Sequence, residues 1–168
     1  MAVYEYRGLA IDLPENDTEY AGYFEAAREH QLVVRRCLDC GLLRAEPGPG
    51  CPWCPSSRWD WHTVSGKGTI YSYQIVAYTV LAGFRDWVPF PIVLVELDEQ
   101  RNQPAPDDGL RITSNLLDAE LNPEKETMVA IGKRVEVVFV DLDSGLTLPQ
   151  FRLSDDTPQG TVWRHNSY

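Results

Sequence analysis

Four cysteines are the residues of this chain best suited to chemistry. They stand as two Cys-x-x-Cys pairs, Cys37/Cys40 and Cys51/Cys54, in the stretch CLDCGLLRAEPGPGCPWC. Each Cys-x-x-Cys turn directs two sulfurs to one side, and two such turns about ten residues apart complete a tetrahedron around Zn²⁺ at Zn–S distances of ~2.3 Å. Gly41 after Cys40 and Pro52 inside the second pair suit knuckle turns whose backbone amides face the sulfurs. Pro55 after Cys54 departs from that pattern, since glycine is the commoner residue there. Two disulfides, or a redox dithiol, would use the same residues, but the βαβ context of a dithiol motif is missing. A rubredoxin-like iron would also take the four sulfurs. The expectation is one structural zinc per chain, with iron as the lesser alternative. A metal with four thiolates has no open position for water or substrate, so its contribution goes into folding rather than catalysis.

The remaining reactive residues make no recognisable constellation. The histidines are His30, His62 and His165, none in a nucleophile or metal motif, and no nucleophile elbow, Walker loop or dinucleotide fingerprint occurs. Glu96, Asp98 and Glu99 read as a strand end running into solvent, as do Asp141 and Asp143. The SGKG stretch at 65–68 reads as a tight turn, with Lys67 able to meet a phosphate there. One loop invites binding: LAGFRDWVPFP, 81–91, sets Phe84, Trp87 and Phe90 beside Arg85. Aromatics next to an arginine are frequent at interfaces. The expectation is a chain that is not catalytic alone and that offers Lys67, Phe84, Arg85, Trp87 and Phe90 as a ligand or partner surface.

The elements that must position these residues follow from patterning. Tyr20, Tyr23, Phe24 and Ala27 fall at helical spacing within 17–30, with Asp17 or Thr18 as N-cap, predicting a helix. LVVRR (32–36) and WDWHTV (59–64) read as short strands on either side of the cysteines, as in a zinc ribbon. Five strands follow at 69–80, 91–98, 110–117, 134–143 and 146–153, with one helical turn between the third and fourth, the plan of a five-stranded OB-fold barrel. Residues 99–109 read as a mobile hairpin connection, and the tail beyond Ser154 ends in Trp163, Arg164, His165 and Tyr168. The fold class expected is mainly β: an N-terminal arm and helix (1–31), a rubredoxin-like zinc ribbon (32–64), an OB-fold (65–155) and a C-terminal tail (156–168).

Composition narrows the classes. In 168 residues, 43% hydrophobic content is enough to bury a core, and no apolar run reaches the ~18 residues of a membrane helix. The first fifteen residues carry Glu5, Arg7 and Asp12 and do not resemble a signal peptide, which places the chain in the cytoplasm with its thiols reduced. A net charge of -10 repels phosphate backbones, so nucleic acid is a disfavoured partner.

Taken in order, the helix before LVVRRCLDCG, then CPWC, VSGKGTIYSY, PFPIVLVELDE, GLRITSNL, IGKRVEVVFVD and LPQFRL make the chain, from about 20 to 153, resemble a family of small bacterial and archaeal proteins. That family joins a rubredoxin-like zinc ribbon to an OB-fold, is associated with acyl-CoA metabolism, and was long carried as a domain of unknown function. The resemblance implies a non-catalytic structural or regulatory subunit in a hetero-oligomer with a thiolase-superfamily enzyme: a thiolase, a hydroxymethylglutaryl-CoA synthase, an acyltransferase making acylphloroglucinols, or a steroid side-chain aldolase. The partner would supply catalysis and share an acyl-CoA. Of the family's positions, only Cys37, Cys40, Cys51 and Cys54 carry over with a clear role. The alternatives are a hydratase-associated acyl-CoA-binding subunit and a nucleic-acid-binding module.

Overall fold

The computed structural model describes residues 2–13 and 19–165. The chain opens with a hairpin, β1 (Ala2–Tyr6) and β2 (Leu9–Leu13), turned by Arg7 and Gly8 at φ 53° and 74°. Two successive left-handed residues are what a tight turn matched to strand twist requires. Helix α1 (Ala21–Arg28) follows, with Tyr20 at its N-cap position. It is shorter than the 17–30 expected, and Asp17 and Thr18, expected as caps, lie outside the described residues.

Three strands form the ribbon: β3 (Leu32–Cys37) at the centre, flanked by β4 (Leu43–Arg44) and β5 (Trp59–Val64). Five more close into a barrel in the order β10-β8-β7-β6-β9. They are β6 (Lys67–Val76), β7 (Phe90–Arg101), β8 (Gly109–Leu117), β9 (Arg134–Asp141) and β10 (Thr147–Leu153). Strands β8 and β10 pair in parallel and every other pair is antiparallel, and a 3₁₀ turn, Glu126–Met128, sits between β8 and β9. The fold is therefore mainly β, a ribbon followed by an OB-fold barrel. No helix among the described residues is long and apolar enough to cross a membrane.

Alternation along the barrel strands sends Ile70, Val93, Val95, Leu97, Leu116, Val135 and Phe151 inward, each at 0–1% exposure. Burial of side chains of this size contributes about 1.5–3 kcal/mol each. Leu32, Val34 and Val64 of the ribbon belong to the same cluster, and Tyr23 of α1 packs against it. Ribbon and barrel thus share one core. The junction is reinforced by Gln100, which accepts a hydrogen bond from Leu43 N–H (2.9 Å) and donates one to Leu43 O (2.8 Å).

Two connections differ from expectation. Strand β6 ends at Val76 rather than 80, because its partner β7 begins at Phe90, just after Pro89, which has no N–H to donate. Strand β7 runs on to Arg101, which pairs with Gly109, so the connection expected to be mobile over 99–109 shrinks to 102–108. The tail returns to the barrel: Trp163 and Ile131 exchange backbone hydrogen bonds of 2.8 and 2.9 Å. Tyr168 lies outside the described residues.

Candidate metal centre

Cys37 is the last residue of β3, and Cys40 follows one turn later. Cys51 and Cys54 sit in the second knuckle, before β5. All four sulfurs lie within 4.8 Å of one another. Cys37 Sγ is 3.5 Å from Cys54 Sγ, and Cys40 Sγ is 3.6 Å from Cys51 Sγ. A disulfide would need ~2.05 Å, and the four thiols are free. A tetrahedral ion with ~2.3 Å bonds needs sulfurs ~3.8 Å apart, so the cluster fits a metal closely.

The backbone prepares these sulfurs for positive charge. The N–H of Cys40 and, less strongly, that of Asp39 are aimed at Cys37 and hold its thiol down at about 6 against the cost of burial. At Cys51 burial opposes ionisation, but the N–H groups of Cys54 and Trp53 prevail and lower it. Cys40 goes the other way: the Leu42 N–H favours its thiolate, yet burial and the neighbouring sulfurs push it up to about 12. Without an ion, four sulfurs this close share the remaining protons; a bound cation takes the protons' place.

Gly41, at φ 77°, lets the first knuckle turn back, and its N–H donates to Cys37 O (2.9 Å). Pro55 holds the matching place in the second knuckle, which is closed by the Cys51 N–H donating to Ser56 O (2.7 Å). Asp39 latches the knuckles together by accepting hydrogen bonds from Ser56 Oγ and the Arg58 guanidinium. Those bonds, led by that from Arg58, hold its carboxyl below the usual range.

The other residues singled out by sequence are scattered. Lys67 is exposed at the start of β6 and pairs with Asp156 at 3.1 Å. Arg85 lies beyond the other end of β6, roughly 30 Å of strand away, so the two do not form one cationic site. In the SGKG stretch, Gly66 (φ 72°) packs against Val137, where a Cβ would come within 2.2 Å of its side chain. Ser65 N–H donates to Glu99 Oε1 and Lys67 N–H to Ser65 Oγ, so the turn's amides are already used.

The aromatic loop folds inward. Trp87 and Phe90 are buried at 7% and 5% exposure with Leu117, and half-buried Phe84 meets Trp87 edge-on and stacks on Phe90. The cation on these rings is not Arg85. It is Arg7, whose guanidinium sits 4.3 Å from the Trp87 ring and 5.5 Å from that of Phe84 while pairing with Asp86. Tyr6 meets Phe84 edge-on at 5.7 Å. The N-terminal hairpin therefore covers the loop, which leaves exposed the stretch before it: Tyr78, Val80 and Leu81.

Sequence reading missed this hairpin, although YRG between alternating residues is a turn signal. The acids at the end of β7 do reach solvent, Asp98 and Glu99 being exposed, but their partners were not foreseen: Asp98 is bonded to Arg134 and Arg101, Glu96 lies 2.9 Å from Arg111, and Glu99 holds Ser65. Asp141 sits 3.0 Å from His30 Nε2 and accepts from Thr147 Oγ1, fastening the end of α1 to β9. Each of these acids is thus engaged by a hydrogen bond or an ion pair.

Comparison with known proteins agrees with this architecture. Residues 61–140 match the model of the ChsH2 C-terminal OB-fold domain. The chain is 36% identical over 139 residues to the probable enoyl-CoA hydratase alpha subunit of Thermomonospora curvata, covering 83% of this chain but 39% of that protein. It thus spans about two fifths of that relative's length. It is 29% identical over 106 residues to a DUF35 domain-containing scaffold protein of Pyrococcus furiosus, covering 63% of this chain and 71% of that one. Among solved structures, the Ltp2-ChsH2(DUF35) aldolase aligns with a TM-score of 0.66 and 34% identity over 84% of this chain and 98% of its own. With the four-cysteine ribbon, the closed barrel and this likeness along nearly the whole of a solved relative, the chain belongs to the DUF35 family of zinc-ribbon and OB-fold proteins.

Proposed function

We propose that this chain is an accessory, non-catalytic subunit that scaffolds an enzyme making or breaking a carbon-carbon bond on an acyl-CoA, with a thiolase-superfamily partner in a cytoplasmic hetero-oligomer. The observation that carries the reading is the similarity to nearly the entire length of a DUF35 chain solved as part of an aldolase. The scaffold protein of Pyrococcus furiosus points the same way. In this reading Cys37, Cys40, Cys51 and Cys54 hold one Zn²⁺, which supplies a cross-link between the knuckles and no reactive position. The ribbon and barrel then present surfaces, among them the loop with Arg85 and Phe84 beside exposed Tyr78, Val80 and Leu81.

The test is co-expression with a thiolase-superfamily protein of the same organism, followed by size-exclusion chromatography and assay of retro-aldol or thiolytic cleavage. A stable complex whose activity falls when this chain is withheld is the expected result. Separate elution, with a partner fully active alone, refutes the proposal. The likeness to a hydratase alpha subunit favours one second reading, an acyl-CoA-binding subunit beside a hydratase. Co-purification with a hydratase, and enoyl-CoA hydration by that complex, would select it.

A further inference from the structure

The two knuckles are joined by β4, and β4 carries a charge that the metal site does not explain. Arg35 on β3 and Arg44 on β4 are register partners, so both side chains leave the same face of the sheet. Both are buried, at 1% and 9% exposure, and both donate to Gly48 O at 3.3 Å. Two like charges placed together and stripped of water each need a counter-charge.

Arg35 has one. The Glu19 carboxylate lies 2.6 Å from its Nη2, Glu19 O accepts from the same nitrogen at 2.7 Å, and the rings of Trp59 and Trp61 stand 4.1 and 5.6 Å from the guanidinium. Arg44 has none. Its Nη1 donates to Gly48 O and to Gly50 O (2.6 Å), while Nε and Nη2 are buried without a partner. Among the described residues no carboxylate reaches it. Nε and Nη2 form the side edge of the guanidinium, the edge that a carboxylate or phosphate grips with two parallel hydrogen bonds.

Arg44 also lines a cleft of about 680 Å³ between the ribbon and the β7–β8 turn, walled by Pro47, Pro52, Trp53, Pro104 and Leu110. That volume is in the range of small-molecule sites. Trp53, inside the second Cys-x-x-Cys, is 58% exposed and offers a flat apolar face. Glu46 and Asp108 line the same cleft without bonding Arg44, and Arg111 is already matched to Glu96.

We propose that Arg44 anchors a binding site for a small molecule bearing a carboxylate or phosphate, received in this cleft with its apolar or planar body against Trp53 and the prolines. Arg44 lines the cleft while its Nε and Nη2 are themselves covered, so the ligand engages them through a turn of the Arg44 side chain. The site is separate from the four sulfurs and needs no partner enzyme, so it stands or falls apart from the scaffold reading.

The test uses the full, metal-loaded chain labelled with ¹⁵N and follows the Arg44 Nε–H resonance together with the Trp53 indole N–H resonance, which the same cleft holds. Sodium acetate and inorganic phosphate are titrated separately at constant ionic strength. Saturable displacement of both resonances by either anion is the expected result, and which one saturates identifies the class. In Arg44→Gln, read on the Trp53 indole, that anion should bind about ten- to a hundredfold more weakly, the range of a lost charge-assisted pair of bonds. A resonance that stays still or drifts without saturating with both anions overturns the proposal. So does undiminished binding in an Arg44→Gln protein that keeps its fold and metal. The substitution also removes the bonds to Gly48 and Gly50 that shape the approach to Cys51; if that variant fails to fold, the wild-type titration alone decides.

Discussion

The barrel closes on itself, so none of its five strands presents a free edge, and most of its core comes from side chains of its own strands. The ribbon has three strands of six, two and six residues, and most of the apolar side chains its strands bury, Leu32, Val34 and Val64, are buried against the barrel. Apart from Val33, what belongs to the ribbon alone is largely polar: four thiols, two buried arginines and the Asp39 latch. One region is held by dispersion and the hydrophobic effect, the other by directed bonds to charge. A small unit without its own core depends on each such bond far more than a closed barrel depends on any one residue.

The largest expected effect separates the two regions directly. Removing the metal with a strong chelator, or replacing Cys37 by Ser, takes away a contribution on the order of 10 kcal/mol. Amides of β3 and β5 should lose hydrogen-exchange protection while those of β7 and β8 keep most of theirs. Trp59 and Trp61 report the same event by fluorescence. Full protection of β3 in metal-free protein would show that the ribbon stands without its ion and would erase the contrast.

That contrast also explains which parts of the molecule were legible in its sequence. The cysteine knuckles were, because a tetrahedral ion needs two short turns and their residues are local. The barrel strands were, because inward and outward residues alternate along each of them. The face of the aromatic loop was not: Arg85 is its neighbour in sequence, but the cation on Trp87 comes from Arg7, in a hairpin at the other end of the chain. The pairing of the β7 acids was illegible for the same reason, since their arginine partners, Arg134 and Arg111, arrive from β9 and β8. The state of Arg44 was also illegible, because Arg35 and Arg44 look alike in sequence and differ only in what packs beside them.

A medium effect probes charge in the barrel. Arg134 is 4% exposed and bonded to Asp98, and that bond, with the further charge of Arg101, holds the Asp98 carboxyl below its ordinary range. The folded pKa is therefore lower than the unfolded one, near 3.9. The stabilisation is fully present above that unfolded value and is lost as pH falls through the folded one. Asp98→Asn leaves Arg134 buried and uncompensated, which should cost about 2 kcal/mol at pH 7, less than for a fully buried pair because Asp98 keeps contact with water. Denaturant unfolding should show this gap at pH 7 and show it closing as the pH drops below 4. A gap that does not change with pH would mean the loss is one of shape rather than charge.

The smallest effect lies where the regions meet. Gln100, buried at 8% exposure, completes the free edge of β4 by accepting from Leu43 N–H and donating to Leu43 O. It joins a barrel strand to the segment between the knuckles, so it is a bond through which a ribbon with little core of its own can lean on a barrel held by packing. Gln100→Ala should cost about 1 kcal/mol, the net value of such bonds once water fills part of the gap. The informative quantity is where that loss is felt. If the regions share one core and one cooperative transition, the whole unfolding curve shifts with its slope unchanged. If the junction is a hinge, the β3 and β4 amides alone exchange faster, about fivefold for 1 kcal/mol, while β7 and β8 stay as they were. In metal-loaded protein, Leu32, Val34 and Val64 within the barrel's cluster argue for the first outcome, because a ribbon held at its knuckles opens only by exposing the barrel's own wall.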